Sequence, residues 1–263
     1  MNLNLDGRAA LVTASSSGLG KASAHALARE GANVVINGRD AERVADAAAD
    51  IRTEATGSVI EQPGDLTNPD DIKTLVQRTV HEFGGLDILV TSAGGPTPLP
   101  LLETADSDWY GSFDLLVMSV VRLVRESAEY LRDGDGGSIV NITSRAVKEA
   151  SEGNVLSSSV RLSVIGLQKS LSRELAPDVR VNAVLPGAHE TPRIREIFET
   201  KVERGEHTTY ENARDARAEQ VPVGIIGDPQ GFGDTVAYLA SDRAHYINGA
   251  AIPIDGGQLQ STL

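Results

Sequence analysis

Two polar side chains at positions 157 and 161 are the first candidates for chemistry in this sequence. They belong to the stretch SSSVR, in which Ser157 and Arg161 stand four residues apart. If the segment is helical, this spacing places both residues on one face, one turn apart. A guanidinium keeps its proton at neutral pH, and a serine hydroxyl is a very weak acid. The pair could therefore hold a ligand through charge and hydrogen bonds, but it is poorly suited to moving a proton.

A glycine-containing turn near the start of the chain is the second candidate. The stretch TASSSGLG, residues 13–20, lies between a short apolar run and an amphipathic stretch. Gly18 and Gly20 would let backbone approach a phosphate group at the N-terminus of the following helix. Two glycines can also form an ordinary turn. The position of the stretch, between the first strand and the first helix, favours a nucleotide site.

The elements that must position these residues follow from an alternation of short β-branched runs and longer amphipathic stretches. Strands are predicted at 8–13, 33–37, 58–61, 87–91, 137–143, 179–184 and 250–254. Helices are predicted at 18–30, 41–53, 69–83, 106–131, 155–175 and 230–240. This order predicts one α/β domain over residues 1–263: a Rossmann-like, doubly wound, mostly seven-stranded parallel sheet with helices on both faces. Ligands of such folds bind at the carboxyl ends of the strands.

Residues 188–227 interrupt the alternation. The segment is charged and rich in turn residues, and we predict an irregular, flexible flap over the substrate crevice. Its charged residues include Arg193, Arg195, Glu196, Lys201, Glu203 and Arg204. These charges indicate either a solvated surface or a site for a polar or anionic carbonyl substrate, and the sequence leaves both interpretations open.

The composition narrows the class of partner. A net charge of −13 disfavours nucleic acid and anionic membranes, because phosphates would be repelled over most of the surface. The absence of cysteine excludes disulfides, a thiolate nucleophile and cysteine-based metal sites, and we predict no metal. The chain shows neither a membrane-spanning apolar run nor a leader-like start, so a cytoplasmic protein is expected. The acidic, lysine-poor composition fits adaptation to high salt, although a GC-rich genome would also replace lysine by arginine.

Several motifs resemble those of the short-chain dehydrogenase/reductase family. Residues 13–20 are similar to the family's TGxxxGxG loop, with Ala14 in place of the first glycine. We expect this change to be mild, because alanine permits negative φ. Further motifs follow in register, namely GDLT, TSAG, GSIVNITS, VRVNAVLPGAHET and INGAAIPIDGG. The resemblance covers nearly the whole chain. It implies an oxidoreductase similar to 3-oxoacyl-(acyl-carrier-protein) reductases and sugar- or polyol-oxidising relatives, acting on a small carbonyl or alcohol and assembled as a homotetramer.

The resemblance also implies a nicotinamide cofactor. NAD-preferring members carry an acid at the end of the second strand, where this chain has Gly38 followed by Arg39. A guanidinium suits a 2′-phosphate, so NADP is predicted and NAD is less favoured, with Ser15, Ser17 and Arg39 as phosphate contacts. The predicted cofactor-binding residues are Thr13, Ser15, Ser17, Gly18, Leu19, Gly20, Gly38, Arg39, Asp65, Leu66, Ser92, Ala93, Gly94, Arg161, Pro186, Gly187 and Thr191.

The catalytic positions depart from the family pattern. Ser144 matches the serine that orients the substrate oxygen, but Ser157 stands in place of the proton-donating tyrosine and Arg161 in place of the lysine. Leu116 replaces the asparagine that holds a water relay. We predict Ser144, Ser157, Arg161 and His189 as the catalytic residues. His189 is the best candidate for a substitute proton donor, because imidazole titrates near neutrality.

Three interpretations remain open. In the first, hydride transfer persists and His189, or less favourably Lys148 or Glu149, supplies the proton. In the second, the chain binds NADP without turnover, as a sensor or a silent partner subunit. The third is a resemblance to halohydrin dehalogenases, which also carry an arginine in place of the lysine. That branch keeps its tyrosine and lacks the nucleotide loop, whereas this chain shows the reverse.

Overall fold

Seven parallel strands form a single sheet in the computed structural model, which describes residues 2–134, 136–150 and 152–261. The strands are β1 (Ala9–Val12), β2 (Asn33–Gly38), β3 (Val59–Pro63), β4 (Ile88–Thr91), β5 (Gly137–Ile142), β6 (Val179–Pro186) and β7 (Ala251–Ile254). Their order across the sheet is β3-β2-β1-β4-β5-β6-β7. The sheet is extended from β1 to β3 on one side of its centre and from β4 to β7 on the other. This switch point between β1 and β4 opens a crevice at the carboxyl ends of the two strands.

Helices cover both faces of the sheet. They are α1 (Gly18–Arg29), α2 (Ala41–Arg52), α3 (Pro69–Phe83), α4 (Asp106–Phe113), α5 (Ser119–Arg132), α6 (Val155–Glu174), α7 (Pro192–Glu203), α8 (Tyr210–Ala218) and α9 (Pro229–Ala240). Side-chain caps begin several of them: Asp40 accepts from Arg43 N and Asn68 from Asp70 N. Within the described ranges no helix is long and apolar enough to cross a bilayer. The predicted fold class is confirmed.

The strands divide the core into two layers, one on each face of the sheet. In β1, Ala10 and Val12 join the layer beneath α1, α2 and α9, whereas Leu11 joins the layer beneath α3, α5 and α6. This alternation follows from the two-residue period of a strand. Both faces of the sheet are therefore covered by apolar side chains.

The long helix predicted over 106–131 is interrupted. A single π turn, Asp114–Met118, separates α4 from α5. The turn carries Leu116, whose side chain is buried in the core layer of α3, α5 and α6. Apolar periodicity could not predict this turn, because one extra residue shifts the face of a helix without changing its composition.

The segment predicted to be an irregular flap contains two helices, so this part of the prediction was wrong. Thr191 caps α7, which Pro192 begins, and Thr209 caps α8. A small core of its own holds them together, with the rings of Phe198 and Tyr210 packed edge to face at 5.7 Å. Two backbone hydrogen bonds close the base of the segment, from Gly227 N to Ala188 O and from Glu190 N to Gly227 O, both 2.9 Å.

Candidate active site

The crevice at the carboxyl ends of the strands is a cleft of about 1460 Å³. It is lined by seventeen of the residues predicted from the sequence, namely Ser17, Gly18, Leu19, Gly20, Gly38, Arg39, Asp65, Leu66, Ser92, Ala93, Gly94, Ser144, Arg161, Pro186, Gly187, His189 and Thr191. Three predicted residues, Thr13, Ser15 and Ser157, do not line it. The structure thus brings the glycine turn, the serine after β5 and the arginine of α6 to one cleft.

The glycine turn is as tight as the sequence indicates. Gly18 has φ +57°, a conformation that favours glycine. A Cβ on Gly20 would lie 2.4 Å from the carbonyl oxygen of Ala14, so any side chain there would force the turn apart. The backbone at the start of α1 therefore lines the cleft directly, as binding of a phosphate group requires.

Ala14 departs from the expectation of a mild substitution. Its φ is +45°, in the left-handed region that costs an L-residue about 1–2 kcal/mol. The expected negative φ was wrong, because the backbone turns here before the glycines are reached. The turn keeps its shape despite the strain, held by a hydrogen bond from Ala14 N to Asn37 Oδ1 at 3.2 Å.

Replacing Ala14 by glycine is expected to stabilise the folded protein by about 1 kcal/mol, because glycine adopts a positive φ without the clash of a Cβ. Thermal unfolding of Ala14→Gly beside the parent protein measures the effect. The matched control is Ala22→Gly, inside α1, which should lose about 1 kcal/mol because glycine weakens a helix interior. Equal losses in the two variants would contradict the strain at Ala14.

Thr13 and Ser15 have structural roles instead of the predicted cofactor contacts. The Thr13 hydroxyl donates to Ser92 O at 2.8 Å and accepts from Ser92 N at 2.9 Å, which joins the ends of β1 and β4. The Ser15 hydroxyl donates to Val12 O at 2.6 Å and accepts from Asn37 N at 2.9 Å. Both side chains are buried. Ser16, which was not predicted as a site residue, lines the cleft in place of Ser15.

Asn37 organises this end of the cleft and was not predicted as a site residue. Its Oδ1 accepts from Ala14 N, and its Nδ2 donates to Gln62 O at 3.3 Å and to Gly64 O at 3.1 Å. One buried amide therefore joins the turn after β1 to the end of β3. Its position at the end of β2, among buried apolar residues, is the signal that could have identified it.

Cations mark the end of the cleft beside β2. Arg39 follows the strand directly and is exposed, and Arg43, at the start of α2, lines the same wall. Asp65 lies nearby, and hydrogen bonds from the backbone and hydroxyl of Thr67, both 2.8 Å, hold its pKa below the usual value, with Arg39 adding to the effect. This wall therefore offers two guanidinium groups to an anionic ligand and an ionised carboxylate to hydrogen-bond donors.

Ser144 presents a hydroxyl at the opposite end, where β5 ends. Its Oγ accepts from Ala146 N at 3.1 Å, as the cap of a single 3₁₀ turn. Because the oxygen is used as an acceptor, the hydroxyl proton is available for donation. Ser144 lines the cleft, so this proton can reach a ligand oxygen there.

Arg161 is a buried cation without a counter-charge. Only 8% of the residue is exposed, and its one hydrogen bond, from Nη2 to Ala93 O, is long at 3.4 Å. No ion pair involves it within the described part of the chain. Burial lowers the pKa of the guanidinium to about 10, which leaves it charged at neutral pH. An uncompensated charge in such a position is costly, and a ligand that supplies oxygen atoms would relieve the cost.

Ser157 lies one turn before Arg161 but does not reach the cleft. It is 7% exposed, near the start of α6, and its hydroxyl is too short to extend past the helix as a tyrosine would. The apolar Leu116 is likewise buried in the core. Two of the positions at which the family resemblance places proton transfer therefore offer no polar group to the cleft.

His189 lines the cleft, yet its surroundings oppose the predicted role of proton donor. The residue is 6% exposed, with its ring packed edge to face on Phe232 at 5.2 Å and against Gly227. Burial lowers its pKa, so the ring is neutral at pH 7. Nδ1 lies 3.2 Å from the carbonyl oxygen of Gly187, and donation to that acceptor leaves Nε2 without a proton. This environment favours a structural imidazole.

The two weaker proton-donor candidates lie elsewhere. Lys148 is exposed and does not line the cleft. The Glu149 carboxylate accepts from the backbone N of Gln260 at 2.6 Å and of Ser261 at 2.9 Å, so it fastens the last part of the chain to the loop after Ser144.

The cleft is cationic in a protein that is strongly acidic overall. Besides the predicted site residues, the charged side chains that line it are Asp40, Arg43, Arg145, Arg193, Lys201 and Arg217. Cations outnumber carboxylates among the lining residues, although the net charge of the chain is −13. Such a cleft concentrates anionic ligands. Its arginines are far apart in sequence, and no local motif predicts that they meet.

Comparison with known proteins agrees with the fold and the cleft. Residues 13–258 match the family model described as enoyl-(acyl carrier protein) reductase. The chain belongs to the short-chain dehydrogenase/reductase family. A 3-oxoacyl-(acyl-carrier-protein) reductase of Thermotoga maritima is 30% identical, covering 97% of this chain and 99% of its own length. An oxidoreductase of Bacillus subtilis is 34% identical over 99% of both chains.

Solved structures of the family show the same architecture. L-sorbose reductase of Gluconobacter frateurii, in complex with NADPH and L-sorbose, superimposes with a TM-score of 0.94 at 30% identity, over 99% of this chain and 100% of that one. The short-chain dehydrogenase/reductase relatives are named as reductases and oxidoreductases, and the predicted enzyme class is confirmed at the level of the family.

Proposed function

We propose that this short-chain dehydrogenase/reductase is an NADP-dependent enzyme that transfers hydride between the nicotinamide and a carbonyl or secondary alcohol. The main support is Arg161, a buried guanidinium to which the described residues supply no counter-charge, in a cleft that also holds the glycine turn and Ser144. In this proposal the arginine stabilises negative charge on the substrate oxygen, and no side chain of the usual tyrosine type donates the proton.

The residues of the cleft fit a dinucleotide phosphate. The tight turn at Gly18 and Gly20 leaves room for a pyrophosphate beside the start of α1, and Arg39 and Arg43 match the charge of a 2′-phosphate. L-sorbose reductase, which is similar over its whole length, was solved with NADPH. Arg161 would hold the nicotinamide ribose through its unused N–H donors. NADP supplies the hydride when it is bound.

Ser144 and Arg161 would act on the substrate oxygen in different ways. Ser144 donates a hydrogen bond, because its oxygen already accepts from Ala146 N. Arg161 supplies a positive charge that is fixed before the reaction and lies in a water-poor environment, where such a charge is most effective. Together they favour the state in which negative charge develops on that oxygen, which lowers the barrier to hydride transfer.

Water is the proton source in this proposal. Arg161 stays protonated at neutral pH, and His189 is neutral and donates to Gly187 O. Ser157 does not line the cleft, so no side chain from the tyrosine's position would keep a water molecule from an alkoxide held by Ser144 and Arg161. The proton then arrives after charge has developed, which makes electrostatic stabilisation the main catalytic effect.

A second function is supported by Ser157 and Leu116, which offer no proton-transfer group to the cleft. It is binding of NADP without turnover, as a sensor or a silent subunit. The two functions share the cofactor site and differ in whether NADPH is consumed. The nature of the carbonyl substrate, 3-oxoacyl-type or sugar-type, the homotetramer, the cytoplasmic location and adaptation to high salt remain predictions.

A fluorescence titration with NADPH and NADH tests the cofactor. NADPH is expected to bind more tightly than NADH. Arg39→Asp should weaken the binding of NADPH by about 10- to 100-fold, because a charge-assisted hydrogen bond to the phosphate is lost and a repulsion is added. NADH affinity should not fall. Arg204→Asp, at an exposed position after α7, is the control of equal charge and should leave NADPH affinity unchanged. Failure of the parent protein to bind either nucleotide would refute the proposed function.

A further inference from the structure

Two arginines that the proposed cofactor site does not use line the same cleft as Ser144. Arg145 follows Ser144 directly in the chain, so the two Cα atoms are about 3.8 Å apart. Arg217 comes from α8, in the segment that folds over the cleft. Both side chains line the cleft. The cleft that holds Ser144 therefore carries two positive charges in addition to Arg161, one of them on the residue next to Ser144 in the chain.

Within the described residues, the charge of this pair is only weakly compensated, by one long ion pair at Arg145. Arg217 donates from Nη1 to Gln220 Oε1 at 2.9 Å, an uncharged acceptor, and no ion pair involves it among the described residues. Arg145 has Glu149 at 4.0 Å, but that carboxylate also accepts from Gln260 N and Ser261 N. Burial, and then the charge of Arg145, lower the pKa of Arg217. The two guanidiniums thus repel each other and lack a strong partner.

Such an arrangement is unfavourable unless an anion binds between the two groups. A guanidinium presents paired N–H donors that match the two oxygens of a carboxylate or the edge of a phosphate. Exposed arginines on the outer surface would be hydrated at no cost, whereas Arg217 is half-buried in the wall of the cleft. An oxyanion would satisfy both guanidiniums and remove their mutual repulsion.

The 2′-phosphate of the cofactor is not a suitable candidate for this anion. The cations proposed for the 2′-phosphate follow β2, whereas Arg145 follows β5. These strands are three places apart in the sheet, and adjacent strands are about 4.8 Å apart, which separates the two groups by roughly 14 Å. Arg145 and Arg217 therefore belong to the substrate end of the cleft.

We propose that Arg145 and Arg217 bind an oxyanion of the substrate, a carboxylate or a phosphate ester, close to the carbonyl that Ser144 engages. The inference rests on the proposed function and names its substrate class: short oxo acids or phosphorylated ketoses, with the corresponding hydroxy compounds in the reverse direction. Neutral sugars and simple ketones lack the group that the pair would hold.

Calorimetric titration of the NADP-loaded protein tests the site whether or not turnover occurs. The probes are two matched pairs: 3-oxobutanoate with its methyl ester, and fructose 6-phosphate with fructose, at constant ionic strength. At least one anion should bind about 10- to 100-fold more tightly than its neutral partner. Arg217→Gln should abolish that preference, and Arg217→Lys should retain part of it because the charge remains. The exposed Arg204→Gln should retain all of it.

Each outcome separates the alternatives. Preference for 3-oxobutanoate alone identifies an oxo acid, and preference for fructose 6-phosphate alone identifies a phosphate ester. If NADP binds but neither anion binds better than its neutral partner, the oxyanion site is refuted and the cofactor site stands. An equal loss in Arg204→Gln and Arg217→Gln would assign the preference to overall charge and would also refute the site. Failure of NADP to bind overturns the proposed function itself.

Discussion

The double variant Ser157→Tyr/Arg161→Lys is expected to reduce a carbonyl substrate about 100- to 10,000-fold faster than the parent protein. A positioned general acid contributes a factor of this size, and the parent has none in the cleft. A tyrosine from position 157 would extend beyond the helix surface that the serine does not pass. A lysine at 161 would lower the pKa of that tyrosine. Initial rates of NADPH oxidation with the probe carbonyls measure the gain.

The control for this gain is Ser157→Phe/Arg161→Lys, which fills the same volume and carries the same charge without the phenol. It should show no increase. The phenol variant should also acquire a pH dependence that reports its own ionisation, whereas the parent should not. If the phenylalanine and tyrosine variants have equal rates, the missing acid does not limit the parent, and the proposed route for the proton from water is sufficient.

Arg161→Met is expected to stabilise the protein without ligand and to impair the loaded form. Burial lowers the pKa of the Arg161 guanidinium to about 10, well below its value in the unfolded chain, and keeping the group charged in the folded state costs about 3 kcal/mol. Methionine removes that cost, and we expect the free energy of unfolding to rise by about 1–3 kcal/mol. Thermal unfolding measures the rise, about 2–4 °C for each kcal/mol. NADPH affinity and turnover should fall together, because the ribose contact and the charge beside the substrate oxygen are both lost.

The lowered pKa of Arg161 also predicts how the stability of the parent protein depends on pH. The folded state releases the Arg161 proton at a lower pH than the unfolded state does, so the unfolded state binds more protons as the pH rises above about 10. The contribution of Arg161 to stability is therefore unfavourable below pH 10 and improves as the pH rises through that range. Arg161→Met should lack this contribution.

Arg180 provides the matched control for Arg161→Met. It is also an arginine whose burial lowers its pKa, but its guanidinium donates to the carbonyl oxygens of Leu239, Ala240 and Ser241 at 2.8–3.2 Å. Arg180→Met should destabilise the protein, because those carbonyls would lose their donors in a partly buried position. If both variants lose stability to the same degree, Arg161 has a structural role and the inference of an unsatisfied charge is wrong.

The sequence predicts the sheet well because its signal is local. Each strand is a short apolar run whose residues alternate between the two core layers, and each helix that covers the sheet carries a regular apolar face. The cleft then follows from topology, since parallel strands place their carboxyl ends together. The position of the turn with Gly18 follows from this rule, whereas Arg39, Ser144 and Arg161 were predicted from the family resemblance, and all four line the cleft.

The errors arise where one side chain or one backbone angle decides the outcome. The positive φ of Ala14 belongs to a turn in which Ser16 lines the cleft and Ser15 is buried, and no pattern distinguishes three successive serines. His189 is buried because Gly227 pairs with it from a distant part of the chain. The helices α7 and α8 are polar, so their apolar periodicity is weak. The start of α7 could still have been predicted, because Thr191 followed by Pro192 is typical of a helix N-terminus.

The closed base of the segment that carries α7 and α8 has a consequence for how specificity can change. Because residues 188–190 are hydrogen-bonded to Gly227, the segment leaves and re-enters the domain at a single point. Its length and sequence can therefore vary with little cost in loop-closure entropy and without moving the sheet. Arg193, Lys201 and Arg217 all come from it. We therefore expect that replacing the residues between Thr191 and Gly227 with those of a relative would change the charge of the cleft at the proposed substrate end, while the residues proposed for the cofactor stay in place.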